Sequence, residues 1–167
     1  ARGIGKAIAI QFAKEGANVA FTDLAIDENG KKTEEELNAL GVKAKGYASN
    51  AANFEDTHKV IDQIMQDFGR IDILVNNAGF GLVGSEKDLK LEQEEKMLAV
   101  NITALTQLCH LFLKDMSYQK EGKILNVAST GAFQPGPYTA AYFASKSYVA
   151  SFSRALRIEA QEYGVQV

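Results

Sequence analysis

The chain has 167 residues, 46 % of them apolar and 23 % charged, with a net charge of −3. That length supports one domain with a sizeable core, and an acidic balance without a basic cluster argues against a nucleic-acid partner. The single Cys109 excludes an internal disulfide framework and fits a reducing compartment. With no signal peptide and no apolar run near bilayer length, the expectation is a cytoplasmic protein without a membrane partner.

Taken in order, Arg2-Gly3-Ile4-Gly5 runs into an amphipathic helix with Ile4, Ala7, Ile8, Ile10, Phe12 and Ala13 as its apolar positions, stopped by Gly16. Residues 18–23 read as a short buried strand ending in Asp23, and residues 28–40 as a charged surface helix stopped by Gly41. A second strand covers 42–49. Residues 54–68 repeat at helical spacing and stop at Gly69, and 71–75 form a strand leading into Asn76-Asn77-Ala78-Gly79. Gly79, Gly81 and Gly84 make a loop before a long helix over 91–116. A strand over 123–128 leads to a loop holding both prolines, Pro135 and Pro137. A final helix covers 138–162, and 165–167 begins another strand.

Strands alternating with helices of this length predict an α/β fold, a doubly wound, Rossmann-like parallel sheet covered on both faces. Ligands in such sheets bind beyond the carboxyl ends of the strands. Asp23, Asn50, Asn76 to Gly79 and Ser129 all lie at such ends. His58 and His110 have no Cys/His cluster nearby and read as structural, so no metal site is expected. The Asn101-Ile102-Thr103 sequon reads as accidental.

Tyr142 and Lys146, four apart on a helix, share one face, with Ser129 thirteen residues upstream. A fixed ammonium beside a phenol favours the phenolate, and a nearby hydroxyl can hold a carbonyl oxygen. Such a set can exchange a proton with a carbonyl under reduction. Gly3 and Gly5 open a helix whose first amides can face a pyrophosphate, and Asp23 follows Gly3 at the spacing of an acid that binds ribose hydroxyls. An acid there favours NAD(H). Arg2 could instead pair with a 2′-phosphate, which leaves NADP(H) open. Asn101, a polar residue within an apolar helix, needs a partner, and a backbone kink there could hold a water near the lysine.

The set Arg2 to Gly5, Asp23, Asn76-Asn77-Ala78-Gly79, Asn101, Ser129 and Tyr142 to Lys146 resembles the short-chain dehydrogenase/reductase family over essentially the whole chain. The resemblance implies a catalytic tetrad of Asn101, Ser129, Tyr142 and Lys146. In it Tyr142 is the acid/base, Ser129 positions the carbonyl, Lys146 binds the nicotinamide ribose, and Asn101 holds a relay water. It also implies an NAD(P) site formed by Arg2, Gly3, Ile4, Gly5, Asp23, Leu24, Asn50, Ala51, Asn77, Ala78, Gly79, Tyr142 and Lys146.

Residues 1–79 resemble 3-oxoacyl-acyl-carrier-protein reductases, and residues 80–167 look more like another short-chain oxidoreductase branch. This predicts halves of different parentage within one dinucleotide-binding domain spanning 1–167. The family fold begins with a strand before Arg2 and continues past Val167, so the expectation is a domain truncated at both ends, unstable and inactive alone. The implied activity is hydride transfer between nicotinamide and a carbonyl/alcohol pair. The first choice of substrate is a 3-oxoacyl thioester of fatty acid synthesis, the second another ketone or alcohol. A cofactor-sensing regulator that keeps the fold but not the chemistry is the reading from another class. Relatives pair through their two long helices, so a homodimer or homotetramer is expected, with Leu108, Phe112, Tyr148 and Phe152 as candidate contacts.

Overall fold

The computed structural model describes residues 2–167. The chain divides into two compact units, one ending at Gly69 and the other beginning at Arg70.

The first unit runs α1 (Gly3–Lys14), β1 (Val19–Asp23), α2 (Glu28–Asn38), β2 (Ala44–Ala48) and α3 (Phe54–Phe68). β1 and β2 are parallel, with Val19 opposite Ala44 and Asp23 opposite Ala48. Ala9 and Ala13, one turn apart on α1, pack with Leu37 and Ala44 as the buried centre, against Ile10, Val19, Phe21 and Val42. Ile4 departs from the expected apolar stripe and is exposed, because it lies about 140° around the helix from Ala9. Asp27 caps α2 by accepting from the Gly30 amide, and Asn53 caps α3 by accepting from that of Asp56. Gly69 ends α3 in the left-handed conformation, φ 81°. The Asp67 carboxylate accepts from Lys45 Nζ at 2.7 Å and from the Tyr47 hydroxyl at 2.6 Å, pinning the end of α3 to β2. These two hydrogen bonds hold the Asp67 carboxyl below its usual range, while burial and the same carboxylate push the Tyr47 phenol up.

The second unit runs β3 (Ile73–Asn76), α4 (Leu91–Leu98), a π-helical turn (Ala99–Ala104), α5 (Leu105–Gln119), β4 (Gly122–Asn126), a 3₁₀ turn (Thr130–Phe133), α6 (Ala140–Gln161) and β5 (Val165–Gln166). Its strands are parallel in the order β3-β4-β5. α5 packs on all three strands, and α6 packs on β5, α4 and the π turn. Cys109, Phe112, Met116, Ile124, Val149 and Val165 are buried there.

The expected helix over 91–116 is therefore one continuous run, Leu91–Gln119, whose regular ladder widens around Asn101. This is the kink anticipated at that residue. Contrary to the sequence reading, this run is long and apolar enough to cross a membrane, with a mean hydropathy of 1.3 in its most apolar window. It carries a fully hydrogen-bonded Asn101 and buries Cys109, Phe112 and Met116, with 33 % of that window buried in all. Phe112, expected as a subunit contact, is buried within its own unit.

Candidate active site

Four polar side chains lock together where β3 and β4 end. Asn76 Nδ2 donates to Asn126 Oδ1 at 2.8 Å, and Asn126 Nδ2 donates to Ser153 Oγ on α6 at 2.9 Å. The Cys109 thiol lies against both amides, and burial pushes its pKa up, leaving a poor nucleophile. Asn76 thus ties neighbouring strand ends together. It aims the segments that follow: 77–84 after β3 and 127–139 after β4.

Asn101 holds the first of these segments. It is 1 % exposed, and its amide is fully used. Nδ2 donates to the Phe80 carbonyl at 2.9 Å and to Ser145 Oγ at 3.0 Å, while Oδ1 accepts from the Phe80 amide at 3.1 Å. Ser145 passes the link on by donating to the Tyr142 carbonyl at 2.6 Å. Gly79 and Gly81 are small because neighbours stand over them. A Cβ on Gly79 would lie 3.0 Å from Asn101 Oδ1 and 3.3 Å from Lys146 Nζ, and one on Gly81 would press 3.0 Å from the Tyr142 ring. At its far end the loop is fastened by the Gly84 amide, which donates to the Tyr138 carbonyl at 2.8 Å. Tyr138 makes this bond with φ at 64°, an unusual conformation for a residue with a side chain.

Lys146 is 5 % exposed, and its ammonium donates to the Val127 carbonyl at 3.0 Å. That is one of its three N–H donors, and among the described residues no other acceptor is bonded to it. Burial lowers its pKa from the ordinary lysine value. Below the lowered value both folded and unfolded chains carry this charge, so the burial penalty is present in full. As pH climbs through the lowered value toward about 10.5, the unfolded chain holds the proton longer, and stability rises with pH. Chemical denaturation across an alkaline series should show this rise in the wild-type protein and its absence in Lys146→Met; parallel curves would contradict it.

Ser129 lies two residues beyond Val127, half-buried, and its Oγ accepts from the Gly131 amide at 3.1 Å. Among the described residues no hydrogen bond joins it to the Tyr142 phenol. Tyr142 is half-buried, with its ring edge toward Phe143 at 5.9 Å and the Gly81 backbone against its face. Asn101, Tyr142 and Lys146 are thereby linked through Gly79, Phe80, Gly81 and Ser145, with Ser129 on the segment that carries the Lys146 acceptor. The sequence reading placed Gly81 only in a loop and Ser145 only within the Tyr142 to Lys146 stretch, and gave neither of them, nor Phe80, a role in the site. Ser145, three residues after Tyr142 on the same helix, carried a detectable signal as a small polar residue facing the long helix.

The remaining predicted cofactor residues lie in the first unit. Gly3 begins α1 at φ 56°. Asp23 ends β1 and its Oδ1 accepts from the Leu24 amide at 2.9 Å; its carbonyl accepts from the Ser49 amide. Asn50 folds on itself, its Oδ1 accepting from the Ala52 amide, while its own amide donates to Asp56. Arg2 is paired with Asp27, a partner the sequence reading did not name.

The family profile for short chain dehydrogenases matches residues 1–167. An uncharacterized oxidoreductase of Thermotoga maritima is 33 % identical over 99 % of this chain, which spans 64 % of that relative. A 3-oxoacyl-[acyl-carrier-protein] reductase of Vibrio cholerae is 35 % identical over 99 % of the chain, and the chain spans 66 % of it. The chain thus spans just under two thirds of these relatives' length. A metagenomic short-chain oxidoreductase solved in complex with NADP superposes with a TM-score of 0.92 at 31 % identity, covering 98 % of this chain and 73 % of that one. Single relatives align across both halves of the chain. The fold, the strand-end motifs and these matches agree: the chain belongs to the short-chain dehydrogenase family.

Proposed function

We propose that this protein transfers hydride between a nicotinamide dinucleotide and a carbonyl/alcohol pair. The carrying observation is Lys146: a nearly inaccessible ammonium with spare donors, one helical turn from a phenol that has no protein partner among the described residues. Buried cationic donors are costly unless something accepts from them. Ribose hydroxyls fit that need, and Gly79 keeps the backbone close to the ammonium, where even a Cβ would come within 3.3 Å of Lys146 Nζ.

Bound nicotinamide would supply or accept the hydride. In the direction of reduction, Tyr142 gives its phenolic proton to the carbonyl oxygen, and Ser129 Oγ holds that oxygen in place. Lys146 orients the ribose, and Asn101 keeps Phe80 and the helix carrying Tyr142 in register. Its widened turn is read as the seat of a relay water. Arg2, Gly3, Ile4, Gly5, Asp23, Leu24, Asn50 and Ala51 are read as the adenosine-side residues, and Asn77, Ala78 and Gly79 as those along the riboses, within one dinucleotide-binding domain.

For the substrate we favour a 3-oxoacyl thioester. The support is the likeness to the Vibrio enzyme together with exposed Phe80, Val83, Phe133 and Tyr138 on the two loops around Tyr142, an apolar surface suited to an acyl chain. We also read the protein as a cytoplasmic homodimer or homotetramer using the outer faces of α5 and α6, where Leu108, Tyr148 and Phe152 remain partly exposed. The protein purified with the flanking segments its relatives carry, supplied with NADH or NADPH and an acetoacetyl thioester, should oxidise the nucleotide. Reduction of a simple ketone but not the thioester would move the substrate elsewhere. Tight nucleotide binding without turnover on either would favour a cofactor-sensing regulator.

A further inference from the structure

Arg2 and Asp23 pull in opposite directions on a dinucleotide's adenosine ribose. A guanidinium attracts a 2′-phosphate, and an acid at the end of β1 repels it. The first unit holds a third charge that enters this contest. Arg2 Nη2 donates to Asp27 Oδ2 at 3.1 Å. Asp27 is not a mobile surface acid: its other oxygen, Oδ1, accepts from the Gly30 amide at 2.9 Å as the N-cap of α2. One carboxylate therefore serves two structures at once. The backbone fixes one oxygen, and the second meets the guanidinium where α1 begins.

Resting on the cofactor reading above, we propose that Asp27 is a positioning residue for cofactor choice: it engages Arg2 and turns the protein toward NAD(H). With Asp27 charged, the Arg2 guanidinium has a carboxylate beside it that competes with any added phosphate. Without that charge the guanidinium is released to meet the phosphate. Charges in this exposed setting act through high dielectric and are screened within about 8–10 Å, so the effect is modest.

Asp27→Asn is the discriminating variant. An asparagine oxygen still caps Gly30, so α2 keeps its start, while the charge that holds Arg2 is gone. Titration calorimetry with ADP and 2′,5′-ADP, then with NADH and NADPH, reads the effect without turnover. Asp27→Asn should tighten 2′,5′-ADP and NADPH about 3- to 10-fold and leave ADP and NADH nearly unchanged. Asp27→Glu should restore the wild-type ratio, and Arg2→Gln in the Asp27→Asn background should erase the gain. Binding of both nucleotides with an unchanged ratio in Asp27→Asn would overturn the inference alone. All titrations use the protein with the flanking segments its relatives carry, and failure of that wild-type protein to bind either would overturn the cofactor reading and this inference with it.

Discussion

Tyr142→Phe should lower kcat for carbonyl reduction by about 10²–10⁴-fold, the usual worth of a positioned general acid. The same variant should melt close to the wild-type protein. The phenol oxygen has no protein hydrogen bond among the described residues, so removing it orphans nothing. Its ring, which packs against Gly81, is preserved. Steady-state kinetics beside a thermal melt and nucleotide Kd separate the two roles. Loss of turnover with intact binding and melting identifies the proton donor. Undiminished kcat would remove Tyr142 from the chemistry.

Asn101 offers the opposite pattern, a residue whose loss is felt first by the fold. Asn101→Ala deletes one buried donor pair and one acceptor, leaving the Phe80 amide and carbonyl without their partner and the Ser145 hydroxyl with only the Tyr142 carbonyl. The expected cost is about 1–3 kcal/mol in chemical denaturation. Asn101→Asp, nearly the same shape, should cost more. A carboxylate cannot donate to the Phe80 carbonyl, and Ser145 already spends its proton on the Tyr142 carbonyl. It would also place an unpaired charge at a site 1 % exposed. Both variants should reduce turnover, because the loop that supports the Tyr142 ring loses its anchor. An Asp variant as stable as the Ala variant would show that the amide network does not hold this loop.

The sequence made the regular elements readable because local rules agree with tertiary ones there. Residues 54–68 carry Asn53 as a cap, apolar residues at helical spacing and a terminal glycine, and α3 has those bounds. The kink at Asn101 was legible for a related reason, since a fully polar amide between Val100 and Ile102 cannot sit in an ordinary buried turn without partners. What it could not show were those partners. Phe80 lies 21 residues away and Ser145 lies 44 away, and no spacing rule reaches across a loop and a strand. The Arg2–Asp27 pair is hidden similarly, by 25 residues of helix and strand. Asp27 was visible only as the polar residue before a charged helix. Ile4 misled because an apolar side chain in a first turn fits a periodic pattern before the helix reaches the core.

The widened turn at Ala99–Ala104 also solves a problem of phase. A regular helix advances about 100° per residue, so one residue accommodated there rotates everything beyond it by that angle. Upstream, Glu94 and Met97 turn inward on α4, which packs against α6; downstream, Cys109, Phe112 and Met116 turn toward the strands. A single uninterrupted stripe would have to choose between these two surfaces. Removing one residue from the turn would leave the chain nearly as long and just as helical. It would swing one half of the rod out of mesh with its layer, much as a gear slips by one tooth.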